Sequence, residues 1–198
     1  MKSSKPLSLK ARAIALLAQR EHSVSELRRK LLRMEQERLR KDEAATKEFG
    51  SGLASDEQDN PERSAETVEA LLAWLQAQSY LSEARFVESR LHARAARFGA
   101  GRIKQELAQH GLSLDAEHLE RLKNSELDRA RGVWERKFGA IGPPSAGKTP
   151  NQSHEALAAA RAKQTRFLLQ RGFAPELIRQ LLRALEQEEA EGKDAAQE

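Results

Sequence analysis

One stretch of this chain is written twice. Leu16–Leu31 aligns without gaps with Phe167–Leu182, and a shorter copy lies at Ala96–Leu107. In each copy a ring (His22, Phe98, Phe173) is followed by a small residue (Ser23, Gly99, Ala174). Five residues past the ring stands an aliphatic (Leu27, Ile103, Ile178), and the next residue is a base (Arg28, Lys104, Arg179). This pattern predicts a helix hairpin. The ring fills the gap between two helices, the small residue permits the tight turn, and the aliphatic anchors the second helix. The base stands about 100° further round that helix and so faces water. Hairpins of this kind bury their apolar faces by stacking, which predicts an elongated body with a long surface in place of a pocket.

The rest of the chain is also helical in period. Leu9, Ala13, Leu16 and Leu17 mark a first amphipathic helix. Ser23 with Glu26 reads as a capping box for a second, with Leu27 and Leu31 on its buried face. Residues 35–62 are polar, contain Gly50-Ser51-Gly52 and end at Asn60-Pro61, which predicts a solvated helix extension and then a flexible acidic insert. Ser64 is the expected N-cap of a third helix carrying Val68, Leu71, Leu72 and Leu75. Ser82 caps a fourth holding Phe86 and Ala93, Gly99 and Gly101 mark the next turn, and Gly111 closes a fifth helix with Ile103 and Leu107. A short helix holds Leu119 and Leu122. Ser125 and Asp128 open another with Leu127, Arg131, Trp134 and Phe138. Residues 139–153 read as a linker. A helix over about 154–171 presents Leu157, Ala160, Phe167 and Leu168, and Pro175 starts the last, with Ile178, Leu181, Leu182 and Leu185 buried. No period-two alternation is sustained, so the expectation is an all-α chain of about nine short helices. Leu27, Leu71, Ile103, Trp134 and Ile178 are expected in its core.

Charge is distributed unevenly along the 198 residues. Residues 1–34 hold nine bases against two acids, whereas residues 35–66 hold ten acids against five bases and residues 186–198 six acids against one base. Without the acidic insert and tail the rest carries +14, against +4 for the whole chain. A basic body of this kind favours a polyanion or an acidic protein surface. The acidic tail (Glu186–Glu198) and the acidic insert are expected to shield that basic face from unspecific contacts. Cysteine is absent, which excludes disulfides, zinc–thiolate sites and thiol nucleophiles. No apolar run approaches the ~18–20 residues of a membrane span, and no signal segment stands at the N-terminus, so a cytoplasmic protein without membrane contact is expected.

Enzyme chemistry finds little support. Gly142–Thr149 matches the phosphate-loop pattern letter for letter. That loop needs a strand before it, free backbone N–H groups and a helix after it. Here a helical segment leads in, Pro143 and Pro144 remove two donors, and Pro150 stands where the helix should begin. The segment reads as linker. His22, His92, His110, His118 and His154 form no i, i+4 pair, so neither a metal site nor another cofactor is expected.

Four motifs in order resemble the RecX family of regulatory proteins. They are Arg20-Glu21-His22-Ser23 with Glu26–Leu31, Tyr80–Phe86, Phe98–Leu107, and Arg171-Gly172-Phe173 with Ile178. The resemblance runs from about residue 8 to 186. It implies three tandem three-helix repeats forming an elongated, curved body. The repeats would span 9–79, 80–122 and 123–186, between an N-terminal tail at 1–8 and an acidic tail at 187–198. It also implies a non-enzymatic protein that binds the RecA recombinase filament on single-stranded DNA and restrains recombinase and ATPase activity in DNA repair, recombination and the SOS response. Contacts with single- or double-stranded DNA would be secondary, and a monomer is expected. Candidate partner-binding residues are Arg28, Arg29, Arg94, Arg97, Arg102, Lys104, Arg166, Arg171 and Arg179. The alternative is a direct DNA binder of helix-turn-helix type, with residues 24–33 as recognition helix carrying Arg28, Arg29, Lys30 and Arg33. That helix lacks Asn or Gln for reading bases, which argues against sequence specificity.

Overall fold

The computed structural model describes residues 7–49, 61–139 and 150–194. Among them are nine helices and no strand: α1 (Leu9–Gln19), α2 (Val24–Phe49), α3 (Pro61–Ala77), α4 (Glu83–Ala95), α5 (Ala100–Ala108), α6 (Ala116–Asn124), α7 (Glu126–Phe138), α8 (Pro150–Gln170) and α9 (Pro175–Asp194). The helices gather into two compact units that meet in sequence at Ser89 and Arg90, within α4.

The three copies of the repeat share one detail of geometry. The carbonyl of the small residue accepts the N–H of the buried aliphatic: Leu27 to Ser23 (3.0 Å), Ile103 to Gly99 (3.3 Å) and Ile178 to Ala174 (3.0 Å). The small residue is therefore the N-cap of the second helix, where Ser and Gly are favoured for their extended backbone. Ser23 adds its hydroxyl, which accepts the Glu26 N–H at 3.1 Å. Ser82 does the same for Arg85 at 3.3 Å, and Ser8 for Ala11 at 3.2 Å.

Helix ends share a second device. After Leu75, Leu107 and Leu168, all buried, the chain turns back through a left-handed residue: Ser79 (φ 59°), Gly111 (φ 76°) and Gly172 (φ 80°). The N–H groups of Tyr80, Leu112 and Phe173 then return to those leucine carbonyls at 2.9, 3.0 and 3.3 Å. This is the Schellman turn, and Gly is its preferred residue because it lacks a Cβ to clash. Of these three turns, the one after α3 alone uses a residue other than Gly.

In the first unit, Ala13, Leu27, Leu31, Val68, Leu72, Leu75 and Leu81 form the core. Each large aliphatic buried there contributes roughly 1.5–3 kcal/mol. In the second unit, Ala130 and Val133 of α7, Leu168 of α8, and Phe173, Ile178, Leu181, Leu182 and Leu185 do the same. Phe138 meets Phe167 edge to face at 5.4 Å.

Several boundaries differ from the sequence expectation. Helix α3 starts at Pro61, so Ser64 lies inside its first turns. Proline suits that start because its missing N–H is unneeded there. Helix α2 reaches Phe49 and α8 begins at Pro150, so helix takes up part of the 35–62 insert and of the 139–153 linker. The acidic tail is helical as far as Asp194. Leu71 and Trp134 are only partly buried, Ala93 is exposed, and Leu157 is 45% exposed. Ser125 precedes α7 without a side-chain capping bond. Its hydroxyl donates back to the Arg121 carbonyl at 3.0 Å. The phosphate-loop-like segment Gly142–Thr149 and the Gly50-Ser51-Gly52 stretch lie outside the described residues.

Two substitutions test these turns. Ser79→Gly removes the left-handed penalty and is expected to stabilise the protein by about 0.5–1 kcal/mol in urea denaturation. Gly99 has an ordinary backbone (φ −74°), but a Cβ there would collide with the Gly172 carbonyl. Gly99→Ala is therefore expected to destabilise by about 2 kcal/mol in the same assay, through overpacking alone.

Candidate partner-binding surface

The predicted bases divide sharply once their surroundings are known. In the second unit the turn after α4 and the turn after α8, two copies of the repeat, dock backbone to backbone. The Gly99 N–H donates to the Arg171 carbonyl at 2.9 Å, and the Gly101 N–H to the Gly172 carbonyl at 3.1 Å. Docking at this range is possible because Gly99, Gly101 and Gly172 lack side chains that would fill the gap.

The carbonyl end of α4 is then closed by arginines. Arg129 donates to the Ala95 and Phe98 carbonyls at 3.0 and 2.8 Å. Arg136 donates to Ala96 at 2.7 Å, and Arg171 to Arg97 at 3.2 Å. Four consecutive carbonyls thus each receive a guanidinium N–H. Cations at a helix C-terminus are favoured by the helix dipole. Arg129 is half-buried, and burial lowers its pKa from the ordinary value, partly opposed by the charge of Glu126. Glu126 is itself buried and accepts the Ala100 N–H at 2.7 Å, so it caps α5 from another helix.

Phe98 sits at the centre of this arrangement. The guanidinium carbons of Arg171, Arg94 and Arg102 lie 5.4, 5.5 and 6.0 Å from its ring centre. Arg171 also lies 4.9 Å from the Phe167 ring. The π faces offset part of the repulsion between these cations, by roughly 0.5–1 kcal/mol each at an exposed site. One carboxylate joins them, Glu106, 3.0 Å from Arg94. Arg97 is exposed beside them. Three of the nine predicted residues, Arg94, Arg102 and Arg171, therefore gather about Phe98 with excess positive charge, and a fourth, Arg97, adjoins them in the chain.

The other five do not join it. Arg28 is bidentate to Glu69 at 2.5 and 2.8 Å, which ties α2 to α3 in the first unit. Arg29 donates to its own helix at Ser25 (3.3 Å). Lys104 is exposed on α5 about 200° round from Arg102. Arg166 donates to Ala162 at 3.4 Å, and Arg179 to Glu176 at 3.1 Å. Arg129 and Arg136, which hold the cluster's backbone, were not foreseen. A signal for Arg129 existed: it stands on the same stripe of α7 as the buried Glu126, Ala130 and Val133.

The motif around His22 is structural. Arg20 binds the Glu26 carboxylate through two nitrogens, and His22 Nδ1 and Lys30 Nζ approach the same carboxylate at 3.3 and 3.6 Å. Burial pushes the Glu26 carboxyl up, but the Arg20 bond and the neighbouring charges outweigh it and hold the pKa at about 2. Glu21 accepts from Arg85 at 2.8 Å, and Arg85 also closes the end of α3 by donating to the Ser79 and Tyr80 carbonyls at 2.9 and 3.0 Å. Two motifs 64 residues apart are thus one clamp.

Among the described residues no group of His, Asp and Glu could hold a metal ion, and no helix is long and apolar enough to cross a membrane. The architecture is that of an all-α protein assembled from short helical hairpins with a basic surface. Comparison with known proteins refines this class. Residues 82–116 match the model of the second three-helix domain of RecX, and residues 124–182 that of the third. "Regulatory protein RecX" of Ralstonia nicotianae is 40% identical over 179 residues, covering 89% of this chain and 87% of that protein. The proteins of the same name from Leptothrix cholodnii and Herminiimonas arsenicoxydans are each 40% identical, covering 95% and 92% of this chain and 96% of each relative. The chain belongs to the RecX family.

Desolvation of His22 lowers its pKa below 6.5, ahead of the opposing pull of Glu26. Below pH 6.5 the unfolded chain therefore binds a proton that the folded chain resists, and stability falls as the pH drops. His22→Phe places at this position the ring found in the other two copies. Between pH 7.5 and 5.5 the wild type is expected to lose stability relative to His22→Phe, read from denaturant midpoints.

Proposed function

We propose that this protein is a non-enzymatic regulator that binds the RecA recombinase filament on DNA and inhibits its recombinase and ATPase activities. The reading rests most on the cationic cluster about Phe98. Arg94, Arg102 and Arg171 bring three guanidinium groups to one ring, Glu106 pairs with Arg94, and Arg97 is exposed next to Phe98 in the chain. Such a surface suits the acidic flank of a protein filament or the phosphates it carries. Its backbone is fixed in advance by glycine docking and arginine capping, so little ordering remains to oppose binding. Inhibition needs no bond chemistry: a body lying in the filament groove obstructs the incoming strand and subunit addition. The names of the relatives, regulatory proteins of this family, agree with such a role. In this reading the protein works as a cytoplasmic monomer in DNA repair and recombination, with DNA contacts secondary to those with recombinase.

Direct DNA reading by the 24–33 segment is less favoured. Arg28, Lys30 and Arg33 are already engaged by Glu69, Glu26 and Glu37 of the same chain, and Arg29 by the Ser25 carbonyl.

The test is RecA ATPase on single-stranded DNA. The wild-type chain is expected to inhibit near a stoichiometric ratio. Arg97→Ala with Arg102→Ala is expected to require roughly fivefold to tenfold more protein for half inhibition, with helical content unchanged. No inhibition by the wild type at that ratio overturns the reading.

A further inference from the structure

The C-terminal half of α9 is acidic and carries little to hold it down. Glu186, Glu188, Glu189 and Glu191 lie in the C-terminal half of the helix, and Glu191 stands in its last turn, where negative charge opposes the dipole by about 0.3–1 kcal/mol. Leu185 is buried, and the next six residues of α9, Glu186–Glu191, are exposed. No apolar anchor holds this stretch. Two ion pairs do. Glu186 meets Arg161 of α8 at 3.0 Å, and Glu188 takes Arg131 of α7 through both carboxylate oxygens, one at 2.8 Å. Both pairs are about half exposed, with Arg131 41%, Glu188 50%, Arg161 50% and Glu186 54% accessible. Exposed pairs are worth roughly 0.2–1 kcal/mol each. The contact is marginal by construction, and weak enough for a competing anion to release.

We propose that this acidic turn is a built-in competitor, which occupies Arg131 and Arg161 in the free protein and yields them to the phosphates of a nucleic-acid strand. The inference rests on the reading above that the chain works on a DNA-bearing filament, and it adds Arg131 and Arg161 to the surface that meets it. A guanidinium that holds a carboxylate side-on presents the same fork to a phosphate. A strand brings many phosphates to bear on two carboxylates and gains counterion release as it binds, so phosphate prevails at low salt. Glu186 and Glu188 stand about 200° apart round α9 and reach different helices, so displacing them frees Arg161 on one side and the terminal nitrogens of Arg131 on the other, while Arg131 Nε keeps its bond to Glu135 at 3.1 Å. The charge bias of residues 186–198, six acids against one base, acquires a specific target in this way.

The test uses the full-length chain and a fluorescent oligothymidylate, with affinity measured by anisotropy at low and high salt. Glu186→Gln with Glu188→Gln keeps the length and shape of the helix and is expected to tighten binding roughly threefold to tenfold at low salt, fading at high salt. The control is Glu189→Gln with Glu191→Gln, which removes the same charge from residues that pair with no described base. It is expected to tighten binding by less than half that factor. Adding Arg131→Gln and Arg161→Gln to the first variant is expected to abolish its gain. An equal gain in the control assigns the effect to net charge and overturns the proposal. So does an unchanged affinity in the first variant, or no measurable binding by any of them. Inhibition of RecA ATPase by the wild type reads the proposed function separately, so inhibition with unchanged oligothymidylate affinity sinks the competitor alone.

Discussion

Everything that matters on the second unit follows from how closely two turns approach. The α4–α5 turn and the α8–α9 turn exchange backbone hydrogen bonds at Gly99–Arg171 and Gly101–Gly172. Backbone can lie on backbone at that range only where side chains are missing, and Gly99, Gly101 and Gly172 supply the gaps. The consequence reaches the surface. Arg171 precedes Gly172, and Arg97 and Phe98 precede Gly99, so docking the glycines brings Arg171 beside the Phe98 ring and the Arg97 carbonyl. A packing constraint thereby assembles a charged cluster from residues 74 apart in sequence.

Like charges gathered in this way need compensation, and the two units find it differently. In the first unit, carboxylates do the work: Glu26 gathers Arg20, His22 and Lys30, while Glu21 and Glu69 take Arg85 and Arg28. Arg20, Arg28, Lys30 and Arg85 are thereby paired within the fold. In the second unit, carbonyls and rings take that place around Phe98. Arg129, Arg136 and Arg171 are held by the carbonyl end of α4, and Phe98 and Phe167 offer π faces. Partial dipoles orient a guanidinium without cancelling its charge. The first unit therefore spends its arginines on cohesion, while the second keeps a field that an anionic partner can feel.

The helices were legible in the sequence because each carries an apolar stripe at helical spacing, and the repeat predicted which aliphatics are buried: Leu27, Ile103 and Ile178 are all at 1% exposure or less. Ends were harder to read. Ser64 looks like a cap, but Pro61 begins the helix, because a proline at the first position costs nothing and outweighs a serine three residues on. The site was half legible. Sequence supplies which residues are basic and outward, whereas pairing depends on partners distant along the chain. Arg28 and Lys104 hold the same place in the repeat alignment, yet Glu69 claims the first and, among the described residues, no carboxylate pairs with the second. The buried role of Arg129 was written in its register with Ala130 and Val133, a sign easily lost among so many surface bases.

The repeat also explains why its ring positions diverged. The expectation that a ring at this place is packed away holds for His22 and Phe173, which are buried, whereas Phe98 is half-buried, and the three rings face different chemistry. Phe173 is buried among aliphatics. His22 is equally buried but lies beside Glu26, so an imidazole nitrogen meets a carboxylate where a phenyl edge would leave it less solvated. Phe98 is half-buried and turns its ring toward guanidinium groups, for which an imidazole would be a poor substitute, since a protonated ring would add one more positive charge to the cluster. One hairpin geometry thus serves as core, clamp and cationic platform, according to which charges its second helix and its neighbours bring to the ring.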